Sequence, residues 1–249
     1  MGERSKIEWT DNTFNPWIGC TKVGPGCDNC YAEDMMDHRY HRVRWGTDER
    51  VRTSEQNWRK PVAWNRAANG TRPRVFCASL ADVFDNAVNE TWRADLFALI
   101  HATPNLDWLL LTKRIGNAAT MLPADWGDGW PNVWVGATVV NQHEYDRDVP
   151  KLLDIPAHVR FLSIEPLLGH IEMMPLVRLL DWVIVGGESG SHARPLDEAS
   201  CIDMAKQCLD SEVAFFFKQG SAANWPSFKD FESFPDALRV RQFPRYASR

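Results

Sequence analysis

Short runs of apolar residues alternate along the chain with longer segments of mixed polarity from about residue 70 onwards. The runs are rich in β-branched and aromatic residues, and they read RVFCAS (74–79), DWLLLT (107–112), NVWVGAT (132–138), VRFLSI (159–164), DWVIVGG (181–187) and VAFFFKQ (213–219). Continuous apolar runs are typical of strands that are buried on both faces. Their alternation with helical segments predicts parallel strands joined by right-handed crossovers.

The segments between the runs have the character of helices. ETWRADLFALIHAT (90–103) follows Asn89, which is suited to cap a helix, and LDEASCIDMAKQCL (196–209) is a second example. With a short first strand near KIEW (6–9), the pattern gives about six or seven βα units. This favours an α/β fold built as a full or partial (β/α) barrel of parallel strands, with a doubly wound sheet as the alternative.

Polar residues cluster where the predicted strands end, which is the edge at which parallel α/β folds place their active sites. The candidates are Ser79, Asp82, Thr112, Lys113, Arg114, Thr138, Asn141, Ser163, Glu165, Glu188, Ser189, Lys218 and Gln219. Some of them are expected to cap the following helix or to satisfy loop backbone. Because six consecutive strand ends carry such groups, we expect a functional rim as well.

The length of 249 residues predicts one large domain over 1–249, and the net charge of −5 argues against a uniformly basic nucleic-acid binder. The charge is uneven, however: residues 38–74 hold ten Lys/Arg and three Asp/Glu, whereas the remainder holds 18 basic and 30 acidic residues. Trp45, Trp58 and Trp64 are interleaved with these arginines. The segment predicts a basic excursion that binds phosphates and stacks on bases; the alternative is a solvated helical excursion whose tryptophans pack inward.

No apolar run approaches the roughly 20 residues of a membrane span, and the charged N-terminal segment does not resemble a signal peptide. We therefore expect a cytoplasmic protein without membrane association, in which thiols stay reduced. In that compartment, clustered cysteines indicate metal or redox chemistry. The isolated Cys77, Cys201 and Cys208 are expected to pack as small apolar side chains.

Three of the six cysteines lie close together in GCTKVGPGCDNCYAE (19–33), at Cys20, Cys27 and Cys30. The glycines and proline of this loop allow tight turns that let the thiols converge on one centre. A structural zinc site takes four protein ligands, for which His38 or His41 would be needed. Three thiolates also suit a [4Fe–4S] cluster whose fourth iron stays open to a small molecule.

Several motifs together resemble the radical S-adenosylmethionine superfamily, in a phage-associated branch usually described as phage protein of unknown function. The motifs span residues 15–220 and are NPWIGCTKVGPGCDNCYAE, FCASLADVFD, LLLTKR, VWVGATVVNQ, LSIEPLLG, VIVGGESGSHARP and FFFKQG. The chain departs from the common Cys-x3-Cys-x2-Cys spacing, since six residues separate Cys20 from Cys27, and Asn29 replaces the aromatic residue before the last cysteine. GGES (186–189) follows the sixth predicted strand, so the usual role of Gly-Gly-Glu in holding the methionine amino group does not transfer to it.

The resemblance implies the cofactors and their ligands. Cys20, Cys27 and Cys30 would hold a [4Fe–4S] cluster, and reductive cleavage of S-adenosylmethionine there would give a 5′-deoxyadenosyl radical. A reductant such as flavodoxin or ferredoxin would supply the electron. Three sets of rim residues are predicted to bind S-adenosylmethionine. Ser79 and Asp82 would bind the methionyl ammonium, and Lys113 or Arg114 would bind the methionyl carboxylate. Thr138 and Asn141 would bind the ribose hydroxyls.

The remaining acidic rim residues, Glu165 and Glu188, would face the substrate as catalytic groups. The phage association implies a nucleic acid or a modified nucleobase as substrate, in host cytoplasm, with an isomerase or lyase reaction. Isomerisation of a hypermodified thymidine in phage DNA and repair of a base lesion, as in lyases of this superfamily, are the two specific expectations. The alternatives are a non-catalytic, zinc-stabilised nucleic-acid-binding protein and a cluster-bearing protein without radical activity.

Overall fold

A computed structural model describes residues 5–46 and 49–244. Both ends of the predicted domain, as well as Thr47 and Asp48 of the predicted basic excursion, lie outside the described residues. Within the described ranges, no helix is long and apolar enough to cross a membrane.

The strands follow the apolar runs closely. In chain order they are β1 Asn12–Phe14, β2 Trp17–Ile18, β3 Val51–Arg52, β4 Arg74–Cys77, β5 Asp107–Thr112, β6 Val133–Thr138, β7 Val159–Ile164, β8 Trp182–Gly186 and β9 Ala214–Gln219. The predicted runs at 107–112 and 159–164 coincide with β5 and β7, and the other four runs are confirmed to within two residues at each end. The first strand was predicted wrongly: residues 6–9 form turns, and β1 begins at Asn12.

The main sheet, as far as the chain is described, has seven strands in the order β1-β4-β5-β6-β7-β8-β9. β4 pairs in parallel with β1 and with β5, and β8 pairs in parallel with β7 and with β9. Consecutive parallel strands along the main sheet are what βα units produce, since each crossover returns the chain to the same edge. β2 and β3 form a separate antiparallel pair.

Helices connect the strands. They are α1 Tyr31–Glu33, a π-helical segment Asp34–Arg39, α2 Glu55–Trp58, α3 Lys60–Ala67, α4 Glu90–His101, α5 Ile115–Met121, α6 Gln142–Leu153 and α7 Glu198–Asp210, with short 3₁₀ turns at Pro25–Cys27, Leu176–Leu179, Phe231–Ser233 and Asp236–Leu238. The predicted cap is confirmed, because the Asn89 side chain accepts a hydrogen bond from the Thr91 amide at the start of α4.

The chain divides into two compact units. The first holds the residues up to Val23, Cys30–Val135 and Ile155–His158; the second holds Gly24–Asn29, Gly136–Asp154 and the residues from Val159 onwards. The prediction of one domain over 1–249 stays a prediction. The cysteine loop contributes to both units, with Cys20 and Cys30 in the first and Cys27 in the second.

Aromatic side chains form the core of each unit. In the first unit, Phe14 of β1 meets Trp58 and Trp108 edge-on, with ring centroids 5.6 and 5.7 Å away. In the second unit, Trp182 of β8 packs against Phe161 of β7, with centroids 5.7 Å apart. Large buried rings of this kind remove more apolar surface from water than any other side chains, which explains why the strand runs are aromatic-rich.

Candidate active site

The cysteine loop begins with a sharp backbone turn at Gly19. Gly19 has a φ of 109°, a conformation that favours glycine, and a Cβ at this position would lie 3.0 Å from Val43 Cγ2. The Gly19 amide donates to the Leu80 carbonyl at 3.1 Å, and the Cys20 carbonyl accepts from the Gly46 amide at 3.0 Å. These backbone hydrogen bonds hold the main chain at Cys20, which carries the first thiol, in a defined position.

The other two thiols follow short helical turns. Cys27 is buried and ends the 3₁₀ turn Pro25–Cys27, whereas Cys30 is half-buried and occupies the N-cap position of α1. All six cysteines of the chain are described, and none of them forms a disulfide. Cys77, Cys201 and Cys208 are buried, and burial raises the pKa of each thiol. This agrees with the packing role predicted for them.

The donor chemistry of the loop fits an iron–sulfur cluster. Three thiols lie in an eleven-residue segment, and thiolate sulfur is the ligand that such clusters take. Among the described residues, no group of three His, Cys, Asp or Glu side chains already stands in a metal-binding arrangement. The three cysteines are thus the correct type of ligand for such a cluster, and they are close together in the sequence.

An arginine whose side chain is mostly buried contacts the first of these thiols. Arg114 lies just after β5, and its Nη1 donates to Cys20 Sγ at 3.5 Å while its Nη2 donates to the Thr21 carbonyl at 2.9 Å. Its guanidinium is also 3.9 Å from Asp82 Oδ2 and 3.8 Å from Asp85 Oδ1. Burial alone would lower the pKa of Arg114, but the charges on Cys20, Asp82 and Asp85 raise it, so the guanidinium stays charged.

Asp82 is buried and binds the end of β5. Its Oδ1 accepts from Thr112 Oγ1 at 2.7 Å and from the Phe84 amide at 2.9 Å, and its Oδ2 accepts from the Lys113 amide at 3.0 Å. The neighbouring Lys113 ammonium has no hydrogen-bonding or ion-pair partner among the described residues, and the residue is half-buried. Of the two cations predicted for a ligand carboxylate, Lys113 is therefore the one still available, whereas Arg114 is occupied by protein groups.

Ser79 lies after β4 and is held by a residue that the sequence analysis did not select. Asn15 Nδ2 donates to Ser79 Oγ at 3.0 Å, and Asn15 Oδ1 accepts from the Leu80 amide at 2.7 Å. Tyr31, the residue after the last cysteine of the loop, donates its hydroxyl to the Ser79 carbonyl at 2.6 Å. The first unit thus connects Ser79 with the cysteine loop.

The two residues predicted to bind ribose have different surroundings. Thr138 is buried and is the last residue of β6. Asn141 caps α6, since its side chain accepts from the Glu144 amide at 2.9 Å. The buried Glu144 carboxylate also accepts from the Val140 amide at 3.1 Å, and a Cβ at Gly24 would lie 2.6 Å from its Oε1. The loop backbone at Gly24 therefore lies against the end of the Glu144 side chain.

Glu165 follows β7 and pairs with a cation on β9. Its Oε1 is 2.8 Å from Lys218 Nζ, and its Oε2 accepts from Ser163 Oγ at 3.3 Å. A Cβ at Gly186 would lie 2.9 Å from the same carboxylate. Three of the predicted rim residues, Ser163, Glu165 and Lys218, are thus brought into one cluster in the second unit.

Glu188 is bound by the GGESGSHARP segment and by the cysteine loop. Arg194 Nη2 donates to its Oε1 at 2.5 Å, and Asn29 Nδ2 donates to its Oε2 at 2.9 Å. Arg194 also donates to the Pro25 carbonyl at 2.9 Å and to Asp28 Oδ2 at 3.1 Å. Burial would raise the pKa of Glu188, but the hydrogen bonds from Arg194 and Asn29 hold the pKa below its usual value.

The basic segment 38–74 is partly neutralised. Five of its basic side chains pair with carboxylates, namely Arg39 with Asp34, Arg50 with Asp85, Arg52 with Asp95, Arg72 with Asp107 and Arg74 with Asp11. Trp58 is buried, so the inward-packing alternative holds for this residue. Arg42, Arg44, Arg59 and Arg66 are exposed, and none of them pairs with a carboxylate within the described part of the chain. These four arginines are what remains of the predicted phosphate-binding surface.

Sequence reasoning missed four residues that bind predicted site residues or their neighbours within each unit. Arg194 lies in the motif VIVGGESGSHARP, and its signal is the spacing of six residues from Glu188 within a glycine-containing turn. Asn29 was noted only as a departure from the aromatic residue of the superfamily. Asn15 and Arg50 carried no recognisable signal, because their partners Ser79 and Asp85 are more than 30 residues away in the chain.

Comparison with solved structures shows a related fold. The chain is similar to a spore photoproduct lyase double mutant with bound AdoMet and dinucleoside spore photoproduct, at a TM-score of 0.52 and 12% sequence identity. The likeness covers 84% of this chain and 73% of that chain. It confirms the predicted fold class, an α/β partial (β/α) barrel of seven parallel strands.

Sequence comparisons give a family. Among curated proteins, none matches the chain. The model of the family described as "Protein of unknown function (DUF5131)" matches residues 4–233. Because this match covers most of the sequence, the chain belongs to the DUF5131 family.

Proposed function

We propose that the protein is a radical S-adenosylmethionine enzyme that acts on a nucleobase within nucleic acid. One observation carries the proposal: a loop with three thiols follows the first strands of a fold that resembles a lyase with bound AdoMet. Neither feature suffices alone, since three cysteines also occur in zinc sites and a fold hosts many functions. Membership of a phage-associated branch stays a prediction.

In this proposal Cys20, Cys27 and Cys30 hold a [4Fe–4S] cluster. When bound, the cluster supplies the electron for reductive cleavage of S-adenosylmethionine, which is the source of a hydrogen-abstracting radical. The protein orients the reacting groups and excludes water. The turn at Gly19 and the hydrogen bonds of Arg194 to Pro25 and Asp28 support such positioning on either side of the loop.

The S-adenosylmethionine ligands are proposed from the first unit and from the end of β6. Lys113 pairs with the methionyl carboxylate, because its ammonium has no hydrogen-bonding or ion-pair partner within the described ranges, whereas Arg114 is bound to Cys20 and Thr21. Ser79 binds the methionyl ammonium. Asp82 contributes negative charge nearby and holds the Lys113 backbone in place.

Thr138 and Asn141 remain the proposed ribose ligands, and Asn141 has a second duty as the cap of α6. Glu165 and Glu188 remain the proposed substrate-facing carboxylates. Each already pairs with a cation, Lys218 for the first and Arg194 for the second, and the hydrogen bonds from Arg194 and Asn29 hold the pKa of Glu188 below its usual value. A charged carboxylate in this position can accept a hydrogen bond from a base or a sugar hydroxyl.

The substrate class is proposed from the basic segment and the structural neighbour. That neighbour carries a dinucleoside spore photoproduct. Four exposed arginines of segment 38–74 offer positive charge for phosphates. An isomerase acting on a hypermodified thymidine and a lyase acting on a base lesion both fit these features, with flavodoxin or ferredoxin as the electron donor.

The test is anaerobic reconstitution with iron and sulfide, followed by reduction in the presence of S-adenosylmethionine. We expect 5′-deoxyadenosine from the wild type and none from Cys27→Ala. Cys208→Ala is the matched control, since it removes a buried thiol from α7 and should leave the product unchanged. Formation of 5′-deoxyadenosine by Cys27→Ala would contradict the cluster assignment.

Elemental analysis separates this proposal from a zinc-stabilised nucleic-acid-binding protein. Iron with sulfide in anaerobically purified protein supports the enzyme, whereas stoichiometric zinc supports the binding protein. Parallel reactions with DNA, with free nucleosides and without addition then narrow the substrate.

A further inference from the structure

Arg114 has an environment that differs from that of a substrate-binding cation. Its side chain is 9% exposed, and its guanidinium lies between the Cys20 sulfur and thiol-loop backbone on one side and two buried carboxylates on the other. Asp82 and Asp85 are 6% and 5% exposed. A planar guanidinium held at several points keeps a fixed direction for each of its N–H groups.

Each carboxylate beside Arg114 is itself fixed. Asp82 accepts from Thr112 Oγ1 and from the Lys113 amide. Asp85 pairs with Arg50, whose Nε is 2.8 Å from Asp85 Oδ2 and whose Nη2 donates to Thr21 Oγ1 at 2.8 Å. This network of two arginines and two aspartates therefore holds Arg114 in one orientation. In that orientation, one N–H group binds the Thr21 carbonyl and another points at the Cys20 sulfur.

We propose that Arg114 is a positioning residue that donates an N–H···S hydrogen bond to the cluster ligand Cys20 and thereby raises the reduction potential of the cluster. This inference rests on the proposed function, because it requires the cluster. It replaces the predicted pairing of Arg114 with the methionyl carboxylate, a role that is left to Lys113.

The direction of the effect follows from charge. One-electron reduction adds one negative charge to the cluster and its thiolates. A hydrogen bond and a fixed positive charge at a ligand sulfur stabilise the reduced form more than the oxidised form. Removing them makes the cluster harder to reduce, whichever one-electron donor supplies the electron.

The first experiment measures the midpoint potential of the reconstituted cluster by stepwise reduction with dithionite and EPR detection. The variant is Arg114→Gln, and the matched control is Arg147→Gln, which removes an arginine that pairs with Asp148 on α6 and is not part of this network. We expect Arg114→Gln to lower the potential by the equivalent of a tenfold change in the reduction equilibrium, about 59 mV for one electron. The control should stay near the wild-type value.

A second measurement needs no variant. Wild-type protein labelled with ¹⁵N-arginine is reduced and studied by pulsed EPR, in which a nitrogen hydrogen-bonded to a cluster sulfur gives a resolved ¹⁵N coupling. We expect this coupling in the wild type. Its absence from the wild type overturns the inference even if Arg114→Gln does not fold.

The outcomes distinguish the inference from the proposed function. Failure of the wild type to take up iron and sulfide overturns the proposed function and the inference with it. Uptake of the cluster with equal potentials for wild type and Arg114→Gln overturns only the inference. A lowered potential in Arg114→Gln together with the ¹⁵N coupling supports it.

Discussion

Arg194 and Glu188 form an ion pair with several hydrogen bonds, and Arg194 also binds two residues of the cysteine loop. Arg194 Nε lies 3.2 Å from both Glu188 carboxylate oxygens, and its Nη2 lies 2.5 Å from Oε1. The remaining donors of the same guanidinium reach Asp28 and the Pro25 carbonyl. One side chain therefore connects the turn after β8 with the segment that carries Cys27.

Replacement of Arg194 by alanine should destabilise the protein. Glu188 has a side chain that is 8% exposed, and it would lose its cation while loop residues 24–29 lose two hydrogen bonds. We expect the free energy of unfolding to fall by about 1–3 kcal/mol in urea denaturation. Lys206→Ala is the control, because it breaks an exposed pair with Asp210 and should leave the stability close to that of the wild type. Equal effects of the two variants would contradict the role of Arg194.

The Glu188 carboxylate should make stability depend on acid pH. Burial raises its pKa, but bonds from Arg194 and Asn29 outweigh burial and place the pKa below the ordinary 4.5. A carboxylate whose pKa is lowered by folding contributes stability that is complete above its unfolded pKa and is lost as the pH falls through the folded pKa.

Glu188→Gln isolates this contribution from other acidic groups. We expect the difference in unfolding free energy between wild type and Glu188→Gln to be largest at neutral pH and to shrink at steps below pH 4.5. Urea denaturation followed by circular dichroism measures it. A difference that stays constant across these pH values would show that ionisation of Glu188 does not contribute.

Asn141 is predicted to stabilise α6 independently of any ligand. Its side chain accepts from the Glu144 amide, so Asn141→Ala should cost about 1 kcal/mol in unfolding free energy. Asn141→Asp keeps a capping oxygen and should stay close to wild type. If both variants lose equal stability, the cap is not the source of the effect. If Asn141→Asp keeps the stability but loses S-adenosylmethionine affinity, the amide also binds ribose.

Nucleic-acid binding should depend on the exposed arginines of segment 38–74. Arg59 lies between α2 and α3, Arg66 lies seven residues later on α3, and neither pairs with a carboxylate among the described residues. The double substitution Arg59→Ala with Arg66→Ala should weaken binding of single-stranded DNA. It should also reduce the slope of log K against log salt by about 1–2, since each phosphate contact contributes about 0.7–0.9.

Arg39→Ala is the control for this measurement, because Arg39 already pairs with Asp34. Fluorescence anisotropy across a range of salt concentrations gives both the affinity and the slope. An unchanged slope in the double variant would remove these two arginines from the nucleic-acid surface.

Strand positions followed from the sequence because apolar runs between polar segments have few alternative structures in a parallel sheet. The short first strand was misplaced for the complementary reason. KIEW is apolar enough to suggest a strand, but β1 is only three residues long, at Asn12–Phe14, and its position depends on pairing with β4. Local pattern carries little information about so short a strand.

The functional roles of the polar residues at the strand ends were harder to predict than the positions of the strands. Lys113 and Arg114 are adjacent cations in LTKR, and nothing local distinguishes them. The structure separates them, since Arg114 is directed at Cys20 and two buried carboxylates, whereas the Lys113 ammonium has no hydrogen-bonding or ion-pair partner in the part of the chain that is described. Asn141 shows the opposite case, because its capping role was among the alternatives that the sequence already offered.

The sequence by itself determined the alternation of strands and helices, the grouping of three cysteines in one loop and the polar residues at strand ends. Each of these depends on neighbouring residues and on the burial of apolar runs. Only the tertiary structure decided which partner each charge takes. Cys20 and Arg114 are 94 positions apart, and Asn29 and Glu188 are 159 apart, so chain folding alone brings them within hydrogen-bonding distance.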